Sequence, residues 1–211
     1  SILRGNQMER IMKSVRANFS VVEDAEISME SNPKTLTYEN LLAYRRAGVN
    51  RLSIGVQSLN DDCLKALGRV HPAADFRRNF IMAREAGFDN INMDIILGLP
   101  GEVEEDVAQT IREIKELAPD SLTVHSLAIK RASKLAQWIQ THDISCINNT
   151  DETMAIAVEG AKAMNMHPYY LYRQKNMSGN LENVGYATEG NFGIYNILIM
   201  EEKQTIVACG A

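Results

Sequence analysis

Four short runs of the sequence alternate apolar and polar residues with the two-residue period of a β-strand, and helical patterns separate them. The runs are AEISME (25–30), RLSIGVQ (51–57), NINMDIIL (90–97) and SLTVHSLA (121–128). Their spacing of roughly thirty residues is that of a strand–helix unit. A chain that repeats this unit is expected to form a parallel sheet with right-handed crossovers, either as a barrel or as a doubly wound sheet.

Local signals mark the helix boundaries between these runs. Thr37 is predicted to cap a helix, because its hydroxyl can accept a hydrogen bond from the first turn. The phrases RRAGVNRLSI (45–54) and REAGFDNINM (84–93) place Gly48 and Gly87 where a left-handed residue ends a helix. Apolar residues at helical spacing predict further helices, which carry Cys63 and Leu64, then Phe76, Phe80 and Ala83, then Val103, Val107, Ile111, Ile114 and Leu117.

The pattern changes after residue 130, and a domain boundary is predicted there. Residues 1–130 hold the repeated strand–helix units, and residues 131–211 are predicted to form a smaller α+β segment. Two helices are expected in this segment, over residues 131–140 and 151–165, the second of them capped by Thr150.

The end of the second segment carries strand and loop signals. YYLYR (169–173) is strand-like, and IYNILIM (194–200), turning at EEKQ into TIVACGA, is predicted to form an antiparallel hairpin. The polar stretch 176–193 is longer than a typical loop, so it is either functional or poorly ordered. Because the chain starts at Ser1 and stops directly after the strand-like run, we expect a fragment trimmed at both ends.

Each of the four strand-like runs has one polar face. The most conspicuous member is Asp94, whose charge costs several kcal/mol in a strand of Ile, Met and Leu unless it is paired. It is therefore either a satisfied structural anchor or part of a site. Water on the polar side of an open sheet is one explanation. The other is that the polar faces line the inside of a barrel, where Glu30, Gln57 and Asp94 fall near the strand ends at which such barrels build their sites.

Composition excludes several classes of protein. With 211 residues, 45% of them hydrophobic, the chain can bury a sizeable core, and a net charge of −5 argues against a nucleic-acid binder. No apolar run approaches the length of a membrane span, and none near the start indicates a secretory signal. The three cysteines Cys63, Cys146 and Cys209 have no metal or redox spacing, which predicts reduced thiols in a cytoplasmic protein.

Three further features are weakly specific. The turn Gly98–Gly101 follows the Asp94 strand, but glycine and proline mark turns in many proteins. Arg69 is either a solvated surface residue or a clamp that reaches over the strand ends to a carboxylate. The four histidines show no metal spacing, and His125 is interpreted as a hydrogen-bonded residue of the lumen.

Three longer runs carry a specific resemblance. They are ISMESNP (27–33), AGVNRLSIGVQSLNDDCLKALGRVH (47–71) and AGFDNINMDIILGLPGE (86–102), and they resemble the radical S-adenosylmethionine (SAM) domain of the oxygen-independent coproporphyrinogen III oxidase family and its haem-chaperone relatives. Later pieces, from SLTVHSLAIKR to GIYNILIMEEKQTIVACGA, look like the HemZ-type coproporphyrinogen dehydrogenase branch. Fixed spacing over such long runs is specific, whereas Gly-Leu-Pro-Gly alone is not.

The resemblance implies a partial (β/α) barrel that holds SAM and a [4Fe–4S] cluster, with residues 1–130 as its C-terminal part. In the oxidases a 5′-deoxyadenosyl radical removes hydrogen from a propionate side chain, and decarboxylation leaves a vinyl group. Carried over by position, Glu30, Gln57, Arg69 and Asp94 match the polar contacts of SAM, and Ala128 matches a backbone contact near its adenine. A porphyrinogen-type substrate and an electron donor such as flavodoxin or ferredoxin are the implied partners.

One departure concerns the cluster. The family's Cys-x-x-x-Cys-x-x-Cys motif lies upstream of anything in this sequence, so no catalytic residue and no metal ligand is assigned to this chain. The haem-chaperone signature His-Asn…Tyr-Trp is also absent from its expected region, where NMSGNLENVGYA stands. The sequence favours an oxidase, and leaves open a haem-binding delivery protein on the same scaffold or a radical enzyme with another substrate.

Overall fold

The computed structural model describes residues 3–33, 36–66, 68, 72–128, 149–173 and 182–208. The helices in these ranges are α1 (Gly5–Asn18), α2 (Tyr38–Ala47), α3 (Asp61–Ala66), α4 (Ala73–Glu85), α5 (Glu104–Leu117), α6 (Asp151–Ala163) and α7 (Ile194–Met200). The strands are β1 (Ser28–Ser31), β2 (Arg51–Gln57), β3 (Ile91–Leu97), β4 (Ser121–Ser126), β5 (His167–Tyr172) and β6 (Asn183–Ala187).

All six strands belong to one sheet with the order β1-β2-β3-β4-β6-β5. The first four are parallel neighbours, whereas β6 runs antiparallel to both β4 and β5. The prediction of a mainly parallel α/β sheet is therefore confirmed, and β5 with β6 forms an antiparallel pair beside it. Because strands on both sides of residue 130 join the same sheet, the division at that residue stays a prediction.

The apolar faces of the strands build the core against the helices. Alternate residues of the three central strands are almost fully buried, and they pack with apolar residues of α4 and α5. The core members from these three strands are Leu52, Ile54, Val56, Ile91, Met93, Ile95, Leu97, Leu122 and Val124. Burial of a side chain of this size contributes about 2 kcal/mol, so this face is what holds the sheet to its helices.

The predicted caps are confirmed by the backbone geometry. Thr37 accepts a hydrogen bond from the backbone N–H of Asn40, and Thr150 accepts one from that of Thr153. Gly48 and Gly87 have φ angles of 97° and 89°, in the left-handed region that favours glycine. These residues end α2 and follow the end of α4, so each helix turns sharply into the next strand.

The hairpin predicted over residues 194–211 is wrong. Ile194–Met200 form the helix α7, and no strand occurs between residues 201 and 208. A short apolar run does not distinguish a strand from a helix by its periodicity. The local contacts favour the helix, because the Glu26 carboxylate accepts the N–H of Ile194 at its start.

Other predicted boundaries move by a few residues. The strand predicted at 25–30 is observed at Ser28–Ser31, and the one at 121–128 ends at Ser126. The polar stretch 176–193, interpreted as a loop, contains the strand β6. The helix predicted at 131–140 lies outside the described residues. Among the described residues, no helix is long and apolar enough to cross a membrane.

Candidate functional site

The polar faces of the strands line an interior cavity of about 590 Å³. Residues of both edge strands, β1 and β5, contribute to its wall, so the sheet curves around it. Helix α7 borders the same cavity with side chains that include Tyr195 and Ile199. The polar faces therefore border a cavity in a sheet that is not closed, and their place inside a complete barrel stays a prediction. Polar residues of the lining include Glu30, Ser53, Asn92, Asp94, Thr123 and His125.

Asp94 is held in place by its neighbours on two strands. The Ser53 hydroxyl donates to its Oδ2 at 2.8 Å, and the Asn92 side-chain amide donates to its Oδ1 at 2.8 Å. The carboxylate side chain is still 24% exposed toward the cavity. Asp94 is therefore hydrogen-bonded within the sheet and also presents an acceptor oxygen to the cavity. This position is compatible with both alternatives that the sequence leaves open, a structural anchor and a site residue.

The hydrogen-bonded chain continues from Asp94 to strand β4, where Thr123 donates to the Asn92 side-chain oxygen at 3.2 Å. The Tyr170 side chain on β5 lines the same cavity. Burial raises the pKa of Tyr170 well above its usual range, so this phenol stays protonated. A Cβ atom at Gly185 on β6 would collide with the Tyr170 ring, so glycine is required there for the ring to reach the cavity.

Four of the five site residues predicted from the sequence meet at one end of the lumen. Glu30, Gln57, Asp94 and Ala128 all line a second cavity of about 380 Å³ at the carboxyl ends of the strands. The fifth predicted residue, Arg69, lies outside the described residues. The grouping is the one that the parallel sheet predicts, because the carboxyl ends of its strands share an edge. Their role toward a ligand stays a prediction.

Gln57 adopts an unusual backbone conformation at this end. Its φ angle is 69°, which costs a residue with a Cβ atom on the order of 1 kcal/mol. The pairing of β2 with β3 shifts by one residue between Gly55 and Gln57, and the Gln57 amide folds back over Gly55. A strained residue beside a cavity is typical of functional sites, where the surrounding structure over-determines it.

The turn after β3 is organised by Glu102, which the sequence analysis did not single out. Its carboxylate accepts the backbone N–H groups of Gly98 and Leu99 and the hydroxyl of Ser58. Glu102 therefore ties the loop after β2 to the loop after β3. Burial raises its pKa from the usual range to about 7, more than the three hydrogen bonds lower it.

The opposite end of the lumen contains a buried cation. Arg51 is 4% exposed, and its guanidinium donates to the Asn90 side chain, the Asn191 backbone oxygen and the Ser121 hydroxyl at 2.7–3.0 Å. In the described part of the chain it makes no ion pair. No sequence signal distinguished Arg51 from the other basic residues, because its partners come from distant segments.

A model of the radical SAM superfamily matches residues 3–114. The chain belongs to this superfamily. The HemZ protein of Bacillus subtilis, named an oxygen-independent coproporphyrinogen-III oxidase-like protein, is 39% identical over 99% of this chain and 42% of its own length. The haem chaperone HemW of Escherichia coli is 39% identical over 62% of the chain and 34% of its own length. The chain thus spans less than half of these curated relatives.

Solved structures show the same fold. Coproporphyrinogen III oxidase (HemN) of Escherichia coli, a radical SAM enzyme, matches 94% of this chain and 43% of its own with a TM-score of 0.72 and 27% identity. The archaeal Elp3 of Methanocaldococcus infernus matches 74% of the chain with a TM-score of 0.60 and 17% identity, which shows the fold alone. The predicted radical SAM type of the sheet is confirmed.

Members of the superfamily use SAM and a [4Fe–4S] cluster. The carboxyl end of the lumen fits the first, because the Glu30 and Asp94 carboxylates and the Gln57 amide suit a cationic ligand that bears hydroxyl and amino groups. The described residues contain no cluster of three or more His, Cys, Asp or Glu side chains suited to a metal ion. The residues of this chain therefore fit SAM, and no iron–sulfur ligand is assigned among the described residues.

Proposed function

We propose that the full-length protein, which is this chain together with a cluster-binding segment, catalyses the oxidative decarboxylation of porphyrinogen propionates to vinyl groups. The observation that carries the proposal is the convergence of Glu30, Gln57, Asp94 and Ala128 on one cavity. The similarity to HemZ over 99% of the chain supports the same substrate class. A soluble electron donor such as flavodoxin or ferredoxin and a cytoplasmic location are part of this proposal.

The proposal gives a task to each of the five predicted site residues. SAM and the cluster, when bound, supply the 5′-deoxyadenosyl radical that removes hydrogen from the substrate. Glu30 accepts hydrogen bonds from the cofactor's polar groups, and the Gln57 amide both accepts and donates them. Asp94 offers an acceptor whose position Ser53 and Asn92 fix. Ala128 provides a backbone contact at the same cavity, and Arg69 provides a further polar contact.

Binding of SAM tests the cofactor site without turnover. We expect Gln57→Ala and Asp94→Asn each to weaken the affinity at least tenfold in isothermal titration, since each removes a hydrogen bond to a charged or polar ligand group. Gln109→Ala and Asp89→Asn are matched controls on the exposed surface and should leave the affinity unchanged. Unchanged affinity in both site variants would contradict the assignment.

The reaction itself is tested in the anaerobically reconstituted full-length protein. With SAM, reductant and coproporphyrinogen III, mass spectrometry should show loss of two CO₂ per porphyrinogen together with 5′-deoxyadenosine. Formation of 5′-deoxyadenosine without decarboxylation would support radical formation from SAM and would contradict the proposal that coproporphyrinogen is the substrate.

A haem-binding delivery protein is the second candidate. It is favoured by the HemW relatives, since the one from Escherichia coli is 39% identical over 130 residues of this chain and HemZ is 39% identical over 99% of it. Titration of the protein with haem distinguishes the two functions. A shifted Soret band with a stoichiometric endpoint, in a protein that does not decarboxylate coproporphyrinogen, would establish the delivery function.

A further inference from the structure

Two cavities share a short stretch of wall inside the lumen. The larger cavity and the one at the carboxyl ends of the strands are both lined by Glu30, Asp94, His125 and Tyr172. These four residues come from four different strands, β1, β3, β4 and β5. A ligand that fills the larger cavity therefore meets a ligand at the strand ends at this junction.

His125 is positioned at the junction by Asp94. Its Nε2 atom lies 3.8 Å from the Asp94 Oδ1 atom, and the imidazole is 31% exposed toward the cavities. The Asp94 carboxylate cannot turn away, because Ser53 and Asn92 bind its two oxygens. With Nε2 directed at this fixed carboxylate, the second ring nitrogen is left for another partner, and no hydrogen bond to it occurs within the described residues.

The charges at the junction restrict which ligands can bind. Glu30 from β1 and Asp94 from β3 are acidic, and Tyr170 and Tyr172 from β5 add phenol groups. A ligand carboxylate would be repelled here unless a cation or a hydrogen-bond donor faces it. Arg51 lies at the other end of the lumen with three acceptors already bound. His125 is a basic side chain that lines both cavities.

We infer that His125 is a substrate-positioning residue that binds a carboxylate of the substrate at the junction of the two cavities. The ring nitrogen of His125 that faces away from Asp94 donates its N–H to the ligand carboxylate. This places a propionate-type group beside the strand ends where SAM is proposed to bind, and in that respect the inference rests on the proposed function.

The test measures binding of coproporphyrin III, a stable tetracarboxylate, to the full-length protein by fluorescence quenching at pH 7. His125→Phe should bind about tenfold more weakly than the wild type, because it lacks the ring N–H that faces the ligand carboxylate. His125→Lys places a cation at the same position and should retain most of the wild-type affinity.

His167→Phe serves as the matched control, because His167 is exposed at the sheet edge. It should keep the wild-type affinity for coproporphyrin. Equal coproporphyrin affinity in wild type and His125→Phe would overturn the inference, as would a wild-type protein that does not bind coproporphyrin. A wild-type protein that binds coproporphyrin through His125 and yet does not decarboxylate the porphyrinogen would reject only the proposed function.

Discussion

The two ends of the lumen use charge in opposite ways. At the amino ends of the strands, the buried Arg51 is surrounded by neutral acceptors that come from Asn90, Ser121 and Asn191. At the carboxyl ends, the carboxylates of Glu30 and Asp94 face open cavities. The first end resembles a protein interior, where every polar group has a fixed partner. The second leaves acceptors accessible, which is what ligand binding requires.

This difference assigns stability to one end and ligand binding to the other. Substitutions at the amino ends should reduce the free energy of unfolding by the largest amounts. Substitutions at the carboxyl ends should change pH dependence and ligand affinity more than stability. Three substitutions examine this contrast, with expected effects that decrease in size.

Arg51→Met should have the largest effect. It removes three hydrogen bonds, one to the buried Ser121 hydroxyl and two to the half-buried acceptors of Asn90 and Asn191, and an unpaired buried acceptor costs about 1–3 kcal/mol. We expect a loss of about 4 kcal/mol in the free energy of unfolding, measured by urea denaturation. Arg10→Met on the exposed face of α1 is the matched control, with an expected change below about 0.5 kcal/mol. A loss below about 1 kcal/mol at Arg51 would show that this end does not hold the fold.

Glu102→Gln examines the carboxyl end through pH. Because burial raises the pKa of Glu102 to about 7, the folded state binds more protons than the unfolded state between pH 4.5 and 7. The wild type therefore loses stability as the pH rises through this window, and the neutral glutamine does not. Relative to wild type, the variant should gain about 3 kcal/mol between pH 4.5 and 7.5 in urea denaturation.

The exposed Glu116 provides the control for this measurement. Glu116→Gln should follow the wild type at every pH. If Glu102→Gln also follows the wild type, the Glu102 carboxylate titrates in its ordinary range, and the two ends differ less than we infer.

Ser53→Ala lies between the two ends and should have the smallest effect. It removes the hydrogen bond that Ser53 donates to Asp94 and the one that Ser53 accepts from the Asn92 amide, a loss of about 1–2 kcal/mol of stability, and it leaves the bond from Asn92 to Asp94 in place. We expect a modest loss in urea denaturation, with Ser14→Ala on the exposed side of α1 as the control. A loss as large as that of Arg51→Met would place the main stabilising network in the middle of the lumen instead of at its end.

The sequence predicted those parts of the molecule that depend on local chemistry. Two-residue alternation located the four parallel strands and their buried faces, and the caps at Thr37 and Gly48 follow from side-chain type alone. The prediction that Glu30, Gln57 and Asp94 lie close together, made from their positions at the strand ends, is confirmed. Their proximity follows from the geometry of a parallel sheet, which needs no knowledge of side-chain contacts.

The sequence did not predict features that depend on distant contacts. Helix α7 was assigned to a strand because its apolar run suits either structure, and the Glu26 carboxylate that caps it lies 168 residues away. The bonds of Glu102 depend on how the chain folds around Gly98, and those of Arg51 depend on residues from three later segments. The importance of His125 depends on its distance from Asp94, which is a property of the paired strands.

The contact between Arg51 and Asn191 also has a consequence for biosynthesis. The two residues are 140 positions apart, and a ribosome adds about 5–20 residues per second, so roughly ten seconds pass between their synthesis. During that time the four parallel strands can pair, but strand β6 and helix α7 have not yet emerged to cover their inner face. Because the side chains on that face are polar, the nascent parallel sheet does not expose an apolar surface that would promote aggregation. The residues that later line the cavity therefore also protect the chain during its synthesis.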